Sequence, residues 1–172
     1  MFLCCFGKST AASTGASTAA SASTAHIPDW KSTVPFVPPV NGGHVIKVYD
    51  GDTITIASKL PFTNHHKDTM WRFSVRLNGI DCPEIKGKSE SEKNVAQIAK
   101  KTLSDLILNK KVELKDVQLE KYGRLLATVV YNKRNLNDWM VEQRLAVKYD
   151  GGTKECPDDW EIYYGRTDTV KI

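Results

Sequence analysis

Apolar and polar residues alternate at residues 44–48, 53–56 and 71–77, and this period of two predicts three strands that each bury one face. Val45 and Val48 bracket the first, Asp50-Gly51-Asp52 turns it, and Ile54 and Ile56 carry the second. In the third, Phe73 and Val75 are expected inside, which puts Ser74 and Arg76 on the other face. The period then lengthens. Val95, Ile98, Ala99, Thr102, Leu103, Leu106 and Ile107 recur at helical intervals, with Lys93, Lys100, Lys101 and Asp105 opposite, so an amphipathic helix capped by Ser89 or Ser91 is predicted. Alternation returns over 111–119 and 125–131, and Asn132-Lys133 makes a tight turn into a short strand at 134–136. Asn137 is expected to cap a short helix carrying Trp139, Met140, Val141 and Leu145, with a last helix over 157–164. No strand-helix-strand unit repeats. The pattern predicts a mainly β, α+β fold, a small barrel-like sheet carrying helices, rather than a doubly wound sheet.

Outside these periods the composition shifts. Residues 9–25 are almost entirely Ser, Thr, Ala and Gly, with too little side chain to repay ordering, and the prolines of 26–39, with Trp30 and Phe36 among them, predict an extended connector ended by Asn41-Gly42-Gly43. Residues 1–40 are therefore expected to be tail and connector, 41–165 one domain and 166–172 a short tail, which leaves roughly 130 residues to bury a single core. Residues 60–69 predict a polar loop whose adjacent His65 and His66 are expected to be solvated.

Charge and cysteine content change the picture only slightly. The balance of 24 Lys and Arg against 20 Asp and Glu permits a polyanionic partner without demanding one. No stretch is long and apolar enough to cross a bilayer, and residues 1–7 lack the length and positive charge of an ordinary secretion signal. Cys4 and Cys5 are candidate acylation sites that would give peripheral membrane attachment, the alternative being an unmodified terminus. Cys82 and Cys156 are the remaining pair, with nothing in their spacing to require a bridge, and no C-x-x-C of a zinc site occurs.

Candidate chemistry concentrates where charged groups meet conformational punctuation: Asp50-Gly51-Asp52-Thr53, Arg76, Asp81-Cys82-Pro83-Glu84 and Glu120-Lys121-Tyr122-Gly123-Arg124. Each has a structural explanation by itself, as a hairpin turn, a surface arginine or a solvated acidic loop. Together they supply what phosphodiester hydrolysis needs. Asp52, Asp81 and Glu84 are carboxylates suited to a hard cation and a water, and Arg76 and Arg124 are fork-shaped donors for phosphate oxygens. Tyr122 is a candidate for stacking on a nucleobase.

The segments V-I-K-V-Y-D-G-D-T, R-L-N-G-I-D-C-P-E, E-K-Y-G-R-L-L-A and N-L-N-D-W-M-V-E-Q-R-L-A, in this order from about Val45 to Ala146, resemble the staphylococcal nuclease-like (thermonuclease) family. The resemblance implies an OB-fold barrel of five strands with about three helices. It further implies a Ca2+-dependent, sugar-nonspecific endonuclease acting on DNA and RNA and leaving 3′-phosphate ends. Carried onto this chain, Asp52, Asp81 and the Cys82 backbone carbonyl match the metal ligands, with Asp50 in the outer shell. Glu84 matches the general base, Arg76 and Arg124 match catalytic phosphate-binding arginines, and Tyr122 matches an aromatic beside the bound nucleotide. Arg144 departs from the pattern, standing where the family often has glycine, and beyond Tyr149 the likeness fades. Single strands or locally opened duplex are the expected substrates, with no obligate protein partner and a monomeric state. A catalytically silent nucleic-acid-binding module is the alternative reading.

Overall fold

The computed structural model describes residues 27–61, 68–152 and 155–165. Cys4, Cys5, His65, His66 and the 166–172 tail lie outside them. The chain divides into two compact units, Met1–Val34 and Pro35–Ile172. In the described part of the first, Asp29 and Ser32 close a small turn through reciprocal side-chain hydrogen bonds. The second contains every element of secondary structure among the described residues, and its core already includes Val40.

The predicted strands appear as β1 (Gly42–Val48), β2 (Thr53–Ser58), β3 (Trp71–Leu77), β5 (Lys111–Leu119) and β6 (Leu125–Tyr131). They run in the order β3-β2-β1-β5-β6, and β3 pairs with β6 in parallel to close the five-stranded barrel implied by the resemblance. Closure removes both sheet edges and turns the alternating apolar set inward: Val45, Ile54, Ile56, Val75, Val112, Ala127 and Val129 are all buried. The glycines expected to end the connector instead begin β1, because Gly42 and Gly43 pair with Glu113 and Val112 of β5.

Helix α1 (Glu90–Ile107) is capped by Ser89, whose hydroxyl accepts from the Glu92 N–H at 3.1 Å, and it packs Val95, Ala99, Leu103 and Ile107 into the core. Asn132 and Lys133, both at positive φ (49° and 64°), turn β6 into β7 (Arg134–Asn135).

Helix α2 (Leu136–Glu142) is capped by Asn135, not by Asn137. The next helical residue but one, Asn137, is buried, and its amide is spent on tertiary contacts described below. Leu145 lies beyond the helix, which ends at Glu142 in a Schellman motif: Arg144 N–H donates to the Val141 carbonyl and Leu145 N–H to that of Met140. Arg144 takes φ 56°, so it accepts the left-handed conformation that glycine would adopt without strain.

Two short strands that the pattern does not reveal, β4 (Ile80–Asp81) and β8 (Val147–Lys148), pair with each other. The last helix, α3 (Trp160–Gly165), docks on α1 through Ser91–Asp159 (2.8 Å) and Asn94–Glu161 (2.9 Å) hydrogen bonds and buries Trp160. Cys82 is buried, Cys156 is exposed, and no disulfide joins them.

Candidate active site

The β1–β2 turn builds the first part of the site. Tyr49 N–H and Asp50 N–H converge on the Thr53 carbonyl (2.9 and 3.4 Å), and the Asp50 carboxylate accepts from the Asp52 N–H at 3.3 Å. Between the two acids, a Cβ on Gly51 would lie 2.8 Å from Cys82 Sγ and 2.9 Å from Ala99 Cβ. Only glycine lets this turn lie against both the Asp81–Glu84 loop and α1, so the D-G-D spacing serves packing as well as turning. Asp52 is thereby carried into the interior at 3% exposure, where the Thr53 hydroxyl donates to its Oδ1 at 2.9 Å.

Asp81 is fixed from two sides. It pairs with Val147 across β4–β8, and the preceding turn is gripped by Asn137, whose Nδ2 donates to the carbonyls of Asn78 (2.7 Å) and Ala127 (3.1 Å) while its Oδ1 accepts from Val129 N–H (3.0 Å). Tyr149 N–H also donates to the Gly79 carbonyl at 3.0 Å.

Arg76 joins the two acids. Its Nη1 donates to Asp52 Oδ1 at 3.1 Å, and its Nη2 reaches Asp52 Oδ2 at 2.9 Å and Asp81 Oδ1 at 2.8 Å. Burial pushes the Asp52 carboxyl up to about 7, and the Arg76 charge only partly pulls it back while Asp50 pushes the same way as burial. For Arg76, burial works to lower the guanidinium, yet the charges of Asp52 and Asp81 win and hold it above its ordinary value. Two aspartates thus share one part-buried arginine, with Asp50 acting on the first of them from behind.

Arg124 follows Gly123 (φ 79°) at the end of the β5–β6 hairpin. The β3–β6 register sets Arg76 opposite Leu126, so Arg124, two residues earlier, shares that outward face diagonally across the ladder. Its guanidinium forks onto Glu120, Nε to Oε2 at 2.6 Å and Nη2 to Oε1 at 2.9 Å, and this hydrogen bonding holds Glu120 below the usual carboxylate range. Arg76 lies close enough to Glu120 for the two charges to act on each other.

Glu84 sits exposed at the end of the Asp81–Glu84 loop. Its N–H donates to Glu92 Oε1 at 3.1 Å, and Lys88 N–H donates to Oε2 at 3.2 Å. Glu92 therefore ties the Glu84 loop to the first turn of α1. The signal was available in the S-x-x-E spacing of Ser89 and Glu92, a capping box whose glutamate here reaches past the cap. Asn137, Glu120 and β8 had no comparable local signal, because each acts on partners supplied by the fold. Tyr122 stands 72% exposed at the hairpin tip with Lys121 Nζ 5.0 Å from its ring centroid.

The donors at the centre suit a hard cation. Asp52 and Asp81 offer carboxylate oxygens, and burial raises the Cys82 thiol far above its ordinary range, which leaves its backbone carbonyl as the usable group. Among the described residues no three His, Cys, Asp or Glu side chains form a ready cage. Among them, too, no helix is long and apolar enough to cross a membrane.

Comparison with known proteins shows the family. The family model described as staphylococcal nuclease homologue matches residues 74–164. An uncharacterized endonuclease of Haemophilus influenzae is 40% identical over 109 residues, covering 63% of this chain and 53% of that protein. A probable endonuclease of Schizosaccharomyces pombe is 33% identical over 97 residues (48% and 42%), and a micrococcal nuclease of Shigella flexneri is 29% identical over 131 (70% and 64%). The chain spans about half the length of the first two. The matched region carries Arg76, Asp81, Glu84 and Arg124 on a closed five-stranded barrel, and the chain belongs to the staphylococcal nuclease homologue family.

Proposed function

We propose that this chain is a divalent-cation-dependent endonuclease that hydrolyses phosphodiester bonds in DNA and RNA, with Ca2+ as the cation and 3′-phosphate products. The observation that carries the reading is the Arg76 guanidinium held between the Asp52 and Asp81 carboxylates, with Arg124 on the same outward face one strand away. Asp52, Asp81 and the Cys82 carbonyl would hold the ion, with Asp50 behind Asp52. Bound there, it would neutralise phosphate charge and acidify a water.

In this reading Glu84 takes the proton from the attacking water. Arg76 and Arg124 donate to the non-bridging oxygens as negative charge grows on them, and Arg124 assists the departing oxygen. Both arginines are already oriented by carboxylates, so phosphate exchanges for part of an existing pairing instead of ordering a loose side chain. Tyr122, exposed beside Arg124, stacks on a base. Flat stacking and phosphate contacts carry little sequence information, which favours unpaired or locally opened strands with weak sequence preference.

The test is cleavage of labelled single-stranded DNA and RNA with Ca2+, Mg2+ or chelator, comparing wild type with Glu84→Gln while binding is followed in parallel. Cation-dependent cutting that falls by about a hundredfold or more in the variant, with affinity largely kept, is expected. Binding without cutting under any condition would instead select a catalytically silent nucleic-acid module.

A further inference from the structure

We propose that Glu120 is a specificity-determining residue of the phosphate seat: its carboxylate, fixed on Arg124, makes the seat favour a phosphodiester monoanion and shed the phosphomonoester dianion that hydrolysis leaves. The proposal rests on the nuclease reading and deepens it, since Glu120 neither holds the cation nor activates the water there.

The hairpin fixes Glu120 before any side chain acts. Its N–H donates to the Arg124 carbonyl (2.8 Å) and its carbonyl accepts from Gly123 N–H (2.8 Å), so the backbone closes residues 120–124 into one tight loop. Across that loop the carboxylate takes Arg124 side-on, with Nε donating to Oε2 and Nη2 to Oε1. This leaves the Nη1 end of the guanidinium for a phosphate oxygen, so phosphate is bound with Glu120 still in place. The side chains of Arg124 and Glu120 are only 30% and 20% exposed, which weakens screening of their charges by solvent. Hydrogen bonding to Arg124, aided by the Arg124, Arg76 and Lys121 charges, holds the Glu120 carboxyl below its ordinary range and so ionised at neutral pH.

The consequence follows from charge. A phosphodiester carries one negative charge. On hydrolysis water adds to phosphorus and the P–O bond to the departing strand breaks. The terminal monoester left behind has a second acidic hydroxyl, with a pKa of about 6, whose proton passes to solvent at higher pH. Arg76 and Arg124 attract this dianion more strongly than the substrate, so a seat made of arginine alone would be held by its own product. Asp52 and Asp81 do not prevent this, because the cation answers their charge in the proposed function. Glu120 does. Its charge acts on the same two arginines that hold the phosphate, and it repels a dianion about twice as strongly as a monoanion.

The test compares wild type with Glu120→Gln, which keeps an acceptor for Arg124 but removes the charge, and with Glu120→Asp, which keeps the charge. In full chains that also carry Glu84→Gln, with Ca2+ at about pH 8, where the monoester is a dianion, thymidine 3′-phosphate and its methyl ester compete with a labelled oligothymidylate. Fluorescence anisotropy reads both affinities. In Glu120→Gln the affinity for the monoester relative to the methyl ester is expected to rise about fivefold, the scale of one charge contact in a partly solvated seat. Glu120→Asp is expected to keep the wild-type ratio. With Glu84 intact, added thymidine 3′-phosphate is expected to inhibit cleavage by Glu120→Gln more strongly than cleavage by wild type. An unchanged ratio in Glu120→Gln, or the same shift in Glu120→Asp, overturns the assignment. Both ligands are read on the same folded fraction, so partial unfolding of a variant cancels from the ratio. Should wild type cut nothing with any cation, the nuclease reading fails while the ratio still decides whether Glu120 sets the charge that the seat accepts.

Discussion

Asp52 is the residue whose environment does most to set the behaviour of the site. Its carboxyl, pushed up to about 7 from the ordinary 3.8, is raised in the folded chain, so the cation-free protein binds a proton there that the unfolded chain releases near pH 4. This contribution favours folding below about pH 4 and is lost as pH rises through 7, opposite to the usual aspartate. Urea titrations of cation-free protein between pH 4 and 8 are expected to reveal a stability decline that Asp52→Asn flattens. Loading a divalent cation near pH 6 should expel up to one proton, read as a dependence of calorimetric heat on buffer ionisation. Heats independent of buffer would show that no proton leaves Asp52 on loading.

A second residue-scale expectation concerns Asn137, whose three hydrogen bonds, two of them buried, join α2, β6 and the turn before Asp81. Asn137→Ala is expected to destabilise by about 3 kcal/mol, the scale of leaving buried backbone groups unpaired, as measured by denaturant unfolding. The sequence identifies Asn137 only as a helix-capping type. Its true role depends on where Asn78 and Ala127 arrive, and no local pattern encodes that.

At the scale of elements, local chemistry explains most joints and also marks which can be improved. The β6–β7 turn places Lys133 at φ 64°, where a side chain is strained and glycine is not. Lys133→Gly is expected to stabilise by about 0.5–1 kcal/mol and raise the melting temperature by a few degrees, with cleavage unchanged. The Glu84 loop depends on α1 through Glu92, which makes Glu92 a positioning residue. Glu92→Ala is expected to lower kcat about tenfold with a smaller change in KM, and Glu92→Gln, which keeps an acceptor, to recover part of it. Equal losses in the two variants would point to charge rather than loop placement.

For the whole molecule, the compact unit from Pro35 onward holds the barrel, the helices and all the candidate catalytic residues. Deleting residues 1–34 is expected to leave the melting temperature and cleavage rate of this unit nearly unchanged. Extending the deletion through residue 40 removes Val40, which is 2% exposed in the core, and is expected to cost about 1.5–3 kcal/mol. Thermal melts of the two shortened chains measure the difference directly.

The sequence by itself determined the five barrel strands and α1, since period-two and helical spacing, Ser89 and the Asn132-Lys133 turn are local signals that the fold did not override, whereas β4 and β8 had no such signal. It also determined which chemical types are available, because the charged segments stand in a specific order. Tertiary structure alone decided that they converge: the β3–β6 closure sets Arg124 near Arg76, Gly51 lets Asp52 approach the Asp81 loop, and β8 with Asn137 holds Asp81 still. The physical reason is range. Propensity and capping act within a few residues, whereas a buried charge cluster forms only where segments distant in sequence meet and exclude water together.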